Sequence, residues 1–153
     1  MSQYIKDLEV LSKYASSEGY IVDLEHTGIS YVKFLKDTLN SPKHIKIESG
    51  SDDEIRLYYL LHELGHHELR KDWGRFSELL PISAKAEEDM LTEDCTKYAR
   101  RVNYLISSLE EEFLAWSEGL RLSKRLNIVI NEDNWFKLKT KCLKLYVNYY
   151  AKK

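Results

Sequence analysis

Over most of the chain, apolar and polar positions follow the three- and four-residue spacing of amphipathic helices. Tyr4, Leu8, Leu11 and Tyr14 mark one stripe, so residues 3–18 read as a helix that Gly19 stops. Three short extended runs follow, Tyr20–Leu24, Ser30–Leu35 and His44–Glu48, with the turn signal Asn40-Ser41-Pro42 between the last two. They predict a small sheet. Its connections look too short for helical crossovers, which points to antiparallel pairing.

After Gly50 the pattern changes. Ser51-Asp52-Asp53-Glu54 has the spacing of a capping box, with Ser51 as the N-cap and Glu54 closing it. The helix predicted from 52 to about 70 carries apolar residues on most of its faces, so it is expected to be buried. Lys71–Pro81 reads as irregular. From about Glu93 to Arg125 the helical pattern resumes, with Val102, Ile106, Leu109, Phe113, Trp116 and Leu120 on its stripe. Asn127–Ile130 is a short connection. A last helix, about 132–151, shows Trp135, Leu138, Cys142, Leu145 and Tyr149 on one face.

Composition narrows the class. The chain has 153 residues, 43% apolar and 31% charged, the balance of one globular domain, 1–153, and not of a disordered, collagen-like or coiled-coil chain. With 23 basic against 25 acidic residues the net charge is -2, which makes a nucleic-acid partner unlikely on electrostatic grounds. No run of apolar residues is long enough to span a membrane. Met1–Asp7 leads into no apolar signal core. The two cysteines, Cys95 and Cys142, lack CxxC spacing and fit a reducing, cytoplasmic setting.

The chemistry lies inside the buried helix, in His62-Glu63-Leu64-Gly65-His66. Residues four apart share one helix face, so His62 and His66 can converge on one metal ion, with zinc the expected cofactor. Glu63 follows the first histidine and is placed to act as general base on a water molecule. The bland reading is a helix whose histidines are satisfied by hydrogen bonds. Against it, two histidines and a glutamate are costly in so apolar a stretch without partners. Gly65, in mid-helix, signals the close approach of a backbone or a substrate.

A catalytic zinc site takes three protein ligands and keeps one position open. Candidates for the third are Glu110, Glu111, Glu112, Glu118, His67, His44, His26 and Cys95. His67 lies about 100° around the helix from His66 and reads as a solvent-facing or supporting residue. Glu112 is flanked at helical spacing by Ser108, Ala115 and Gly119, a small-residue strip that lets a partner helix come close. That makes Glu112 the chosen ligand, with Glu111 the alternative.

His62-Glu63-Leu64-Gly65-His66, the small sheet before it, and Glu112-Phe113-Leu114-Ala115 on a later helix resemble the ImmA/IrrE-type metallopeptidases, in particular their short phage and mobile-element members. Ala115-Trp116 and Gly119 match the Ala-Trp pair and following Gly of those members. The resemblance spans roughly residues 20–150. It implies an α+β, mostly helical zincin-like domain and a gluzincin-like zinc endopeptidase. The implied substrate is a regulatory protein such as a phage-type repressor. One departure stands out. The wider gluzincin pattern is ExxxD, and the fourth position after Glu112 is Trp116, so a carboxylate that orients a ligating histidine must come from elsewhere or be missing.

A competing reading is a zinc-containing module that antagonises a partner without cleaving it. From Trp135 to Lys153 there are six lysines and no acidic residue, which is either a solvated face or a surface for an acidic partner or nucleic acid. A peptidase further needs a substrate-binding edge, for which His44–Glu48 is the candidate strand. It also needs an oxyanion stabiliser, which 11 tyrosines leave open.

Overall fold

A computed structural model describes residues 2–33, 43–89 and 101–152. The described elements are α1 (Gln3–Ser17), β1 (Tyr20–His26), β2 (Tyr31–Lys33), β3 (Lys43–Glu48), α2 (Asp53–Lys71), α3 (Trp73–Leu79), α4 (Pro81–Asp89), α5 (Val102–Arg125) and α6 (Glu132–Tyr150). The fold is α+β and mostly helical, with one small mixed sheet. Positions 34 and 35, the turn at 40–42, the helix start near Glu93, and Cys95 lie outside the described residues. No helix among the described residues is long and apolar enough to cross a membrane.

The sheet order is β1-β3-β2. β2 runs antiparallel to β3 as expected, with Val32 opposite Ile45, but β1 runs parallel to β3, with Val22 opposite Ile45. The antiparallel expectation is therefore half wrong. A parallel pair needs a connection long enough to return the chain, not necessarily a helix. Here β2 itself forms part of that connection and docks on the far side of β3. The central strand is β3, so His44–Glu48 offers no free edge.

α2 is the axis of the molecule. Its N-cap is Asp52, not Ser51: the Asp52 carboxylate accepts the Ile55 N–H at 2.9 Å. Glu54 does not close a capping box. Its carboxylate accepts from the Tyr58 hydroxyl at 2.7 Å and the Asn134 amide at 3.1 Å, tying α2 to the start of α6. Downstream, the stretch expected to be irregular forms α3, capped by Asp72 over the Arg75 N–H. α4 then begins at Pro81, a residue well suited to a helix start because its missing N–H is not needed there.

Leu57, Leu60, Leu61 and Leu64 of α2 pack among Leu8 and Leu11 of α1, Ile45 and Ile47 of β3, and Trp116 and Trp135. α5 crosses α2 with its backbone nearly touching. A methyl group on Gly65 would lie 2.0 Å from the Ala115 carbonyl oxygen, and one on Gly119 would lie 2.6 Å from the Leu61 carbonyl oxygen. These two glycines, one on each helix, permit the contact. The cost of a mid-helix Gly, about 1 kcal/mol, is offset by packing that no larger residue allows.

This contact also explains why the apolar stripe predicted for α5 is only partly its buried face: Trp116 is buried and Leu120 packs on the core. Val102, Ile106 and Phe113 are more than half exposed, whereas Ser107, Ala115, Trp116, Gly119 and Leu122 are buried. Close helix approach selects small residues at the crossing itself, Ala115 and Gly119, with Trp116 and Leu122 buried beside them. On α6, Leu145 and Tyr149 likewise face outward. The inward face runs Trp135, Leu138, Cys142, Tyr146, Tyr150. An expected spacing of 3.5 residues drifts around a straight helix of 3.6, and the four-residue steps win beyond Cys142.

Candidate metal centre

His62, Glu63 and His66 are all buried, on the side of α2 that meets α5, and their ligand atoms lie within 4.8 Å of one another. The α2–α5 contact brings Glu112 over them. Its Oε2 lies 3.1 Å from His62 Nε2 and 3.5 Å from His66 Nε2. Although Glu63 belongs to the same cluster, Glu112 makes the closer approach to both imidazoles. The Glu63 carboxylate instead accepts the backbone N–H of Val32 on β2.

These separations fit a tetrahedral zinc ion. Ligand atoms about 2.1 Å from the ion stand about 3.4 Å from one another. Glu112 Oε2 is buried and has no hydrogen-bond partner of acceptable geometry, despite its closeness to both rings. A buried carboxylate oxygen left in that state carries a desolvation penalty. Its lone pair converges with two imidazole nitrogens, a donor set that could hold a metal ion.

Each histidine is held in place by a different device. His66 Nδ1 lies 3.0 Å from Glu111 Oε1. Arg70 Nη1 pairs with that same oxygen at 2.7 Å, while Arg70 Nε pairs with Glu87 of α4 at 3.1 Å. Glu111 is thus not gathered at the Nε2 side with Glu112; it supports His66 from behind. The orienting carboxylate that the ExxxD pattern would place after Glu112 is found one residue before it. His62 has no such carboxylate. Its ring stacks on Trp116, with centroids 4.4 Å apart and planes 18° apart, and its Nδ1 is unpartnered. Trp116, which occupies the position of the expected Asp, holds His62 by its face, and Trp135 packs edge-on behind it at 4.9 Å.

Electrostatics follow from this packing. Burial lowers His62, whereas at His66 the same burial is outweighed by Glu112 and Glu111, which carry it up to about 10. Burial also works against charge on Glu112, but His66 and His62 hold its carboxyl well below the usual carboxylate range. Glu63 lacks that support. Burial pushes it up to about 8, against the pull of His66. A cation held beside it would lower it again, toward the range useful to a general base.

Apart from Cys95, which lies outside the described residues, the other candidates are not part of this cluster. Glu110 is exposed. Glu118 pairs with Arg121 and with Arg75. His26 packs edge-on to Tyr31, and His44 sits on β3. His67 is neither solvent-facing nor a support for the centre. It is buried on another side of α2, with Nδ1 2.9 Å from the Tyr20 hydroxyl and Nε2 2.8 Å from Glu18 Oε2. Missed from sequence were the positions of Glu111 and Arg70 behind His66 and of Trp116 against His62. A signal existed for Arg70 alone, four residues after His66 and so on the same face of α2.

No protein-family model, no curated protein and no solved structure matches the chain.

Proposed function

We propose that this protein is a zinc-dependent endopeptidase acting in the cytoplasm on a regulatory protein, with a phage-type repressor as the substrate suggested by the sequence resemblance. The observation that carries the reading is the convergence of His62 Nε2, His66 Nε2 and the unpartnered Glu112 Oε2 beside a buried Glu63.

In this reading His62, His66 and Glu112 hold the ion. When bound, zinc supplies the Lewis acidity that makes a water molecule nucleophilic near neutral pH and polarises the scissile carbonyl. Glu63 accepts the water's proton as the water oxygen attacks the carbonyl carbon, then delivers it to the amide nitrogen as the C–N bond breaks. The Val32 N–H and burial fix the Glu63 carboxylate in place. Substrate adds as an extended strand along β2, the edge of the sheet adjoining Glu63, rather than along β3. Glu111 and Trp116 keep the two imidazoles aimed.

The binding-module reading rests on α6. Lys137, Lys141 and Lys144 are exposed along one side of it, and no acidic residue follows Asp133. Lys139 does not belong to that surface, being buried with Nζ 3.6 Å from the centroid of Phe113. Glu63 distinguishes the two readings, because a binder needs no base beside the metal.

The test is Glu63→Gln, co-expressed with repressors encoded near the protein and followed by mass spectrometry for new termini. The variant is expected to retain zinc and fold while hydrolysis falls about 10²–10⁴-fold. If wild type and variant give the same biological output and neither cleaves, the peptidase reading fails and the binding module replaces it.

A further inference from the structure

The part of the α5 stripe that the core does not take up is ordered, not scattered. Val102, Ile106, Leu109 and Phe113 follow one another at steps of four, three and four residues, so they share one helix face. Val102 is 68% exposed, Ile106 52% and Phe113 51%, with Leu109 half-buried between them. α6 repeats the same spacing with Phe136, Thr140, Leu143 and Val147. There Phe136 and Val147 are nearly half exposed.

The two stripes lie side by side. Residues 126–131 fold α6 back along α5, with Lys124 Nζ 3.9 Å from Glu132 at the turn. Further along, Lys139 Nζ lies 3.6 Å from the centroid of Phe113, which sets Phe113 level with Lys139. On the α6 wheel Lys139 falls between the buried Trp135 face and the Phe136 stripe, so the stripe adjoins α5. The result is an apolar surface two helices wide, each stripe about 16 Å long at 1.5 Å per residue. A contiguous exposed apolar patch of this kind marks a place of association.

Its two rims carry opposite charges. Trp116 of α5 packs on Trp135 of α6, and Glu110 borders the α5 stripe on the opposite side. Lys137 and Lys144 border the α6 stripe on the side away from α5. All three are exposed, and none is ion-paired among the described residues. At the register of Phe113 and Lys139, Glu110 stands level with position 142, about 3 Å along the axis from Lys144.

Such a surface is complementary to itself. A two-fold axis parallel to the helices lays α5 of one copy antiparallel against α6 of the other, stripe on stripe, with an acid meeting a base at both edges. A lipid surface or a nucleic acid offers one sign of charge and is repelled by Glu110. We propose that the outer face of the α5–α6 hairpin joins two copies of this chain into a dimer, in a four-helix arrangement with Glu110 beside the partner's Lys144. The metal reading plays no part in this. The contact is at the small end of specific interfaces, so dissociation is expected in the micromolar range.

The experiment is sedimentation equilibrium of the purified chain from low micromolar to submillimolar concentration, with circular dichroism as the check on folding. Wild type is expected to show a reversible monomer–dimer equilibrium. Ile106→Glu sets a charge in the middle of the stripe and should weaken the dimer about 100-fold or more. Its side chain is half exposed in the single chain, so the variant should fold normally. Glu110→Lys and Lys144→Glu each put like charges at both edges, and each should weaken the dimer about 10-fold. Mixed in equal amounts, with one of them isotopically labelled, these two variants should form a mixed dimer of near wild-type affinity in native mass spectrometry, because each edge again holds one acid and one base.

A wild type that stays monomeric throughout overturns the proposal and leaves the face to a different protein. A dimer that survives Ile106→Glu overturns it too, since the contact then lies on another surface. Mixed charge variants that associate no better than either alone rule out the seating of α5 on the partner's α6, and the proposal with it.

Discussion

His66 and His67 are neighbours in sequence, equally buried, and on different sides of the same helix. On the side facing α1 and β1, both ring nitrogens of His67 have partners, Tyr20 and Glu18, and the second Glu18 oxygen takes Lys71 at 3.0 Å. Close by, Glu68 is bonded by Tyr14 and by Arg125. The charges form closed pairs. On the side facing α5, Glu111, Arg70 and Glu87 close a similar network behind His66, but Glu112 Oε2 and His62 Nδ1 remain unpartnered. An unsatisfied buried polar atom costs about 1–3 kcal/mol. Such an atom close to two imidazole nitrogens is what supports the proposed metal site, while a satisfied cluster of the same residue types is a clamp between elements.

The largest expected effect separates the two histidines. His66→Ala should abolish stoichiometric zinc binding, as should His62→Ala, whereas His67→Ala should bind zinc normally and lose about 1–3 kcal/mol of stability by leaving Tyr20 and Glu18 unpaired. Metal analysis of protein purified without a chelating tag, together with urea unfolding, reads both. Zinc lost equally from the His66 and His67 variants would erase the contrast.

A smaller effect distinguishes ligand from support. Glu111→Gln should weaken zinc affinity about 10–100-fold by loosening His66, and Glu112→Gln should weaken it considerably more, as measured by competition with a chelator. A larger loss at Glu111 would exchange their roles.

The smallest effect belongs to the clamp. The His67 hydrogen bond, helped by Lys71, holds Glu18 below its ordinary carboxylate range. A carboxyl with a depressed folded-state pKa stabilises the fold above its unfolded value, near pH 4.3, and that contribution disappears as pH falls through the folded value. The stability difference between wild type and Glu18→Gln, about 1 kcal/mol or less near neutrality, should therefore shrink below about pH 4. A difference that grows on acidification would contradict the clamp.

Parts of the site were legible because they obey one-dimensional rules. The i, i+4 spacing of His62 and His66 puts both on one face of any helix. Gly65 and the strip Ala115–Gly119 announce a close helix contact, and the structure finds it between those residues. Glu112 could be preferred over its neighbours for that reason. Other parts were illegible because the signal belongs to a pair of elements. Glu111 and Glu112 look alike in sequence; the rotation of α5 against α2 alone sends one behind His66 and the other between the two Nε2 atoms. Trp116 looked like a missing carboxylate until its ring was seen against His62.

The apolar stripes show the same limit. Phe113 and Leu145 satisfy helical periodicity, yet both are more than half exposed, while Ser107 is buried.

By itself the sequence determined what depends on neighbours along the chain: the helical periods, the stop at Gly19, the sharing of one helix face by His62 and His66, and the small residues that permit close packing. Local sterics and hydrogen bonds decide such features within a few residues. The tertiary structure alone decided the order β1-β3-β2, with β2 at the edge of the described sheet, the different positions of Glu111 and Glu112, and the seclusion of His67 with Tyr20 and Glu18. Each requires residues tens of positions apart to meet, and that meeting is set by how the helices and sheet pack around α2.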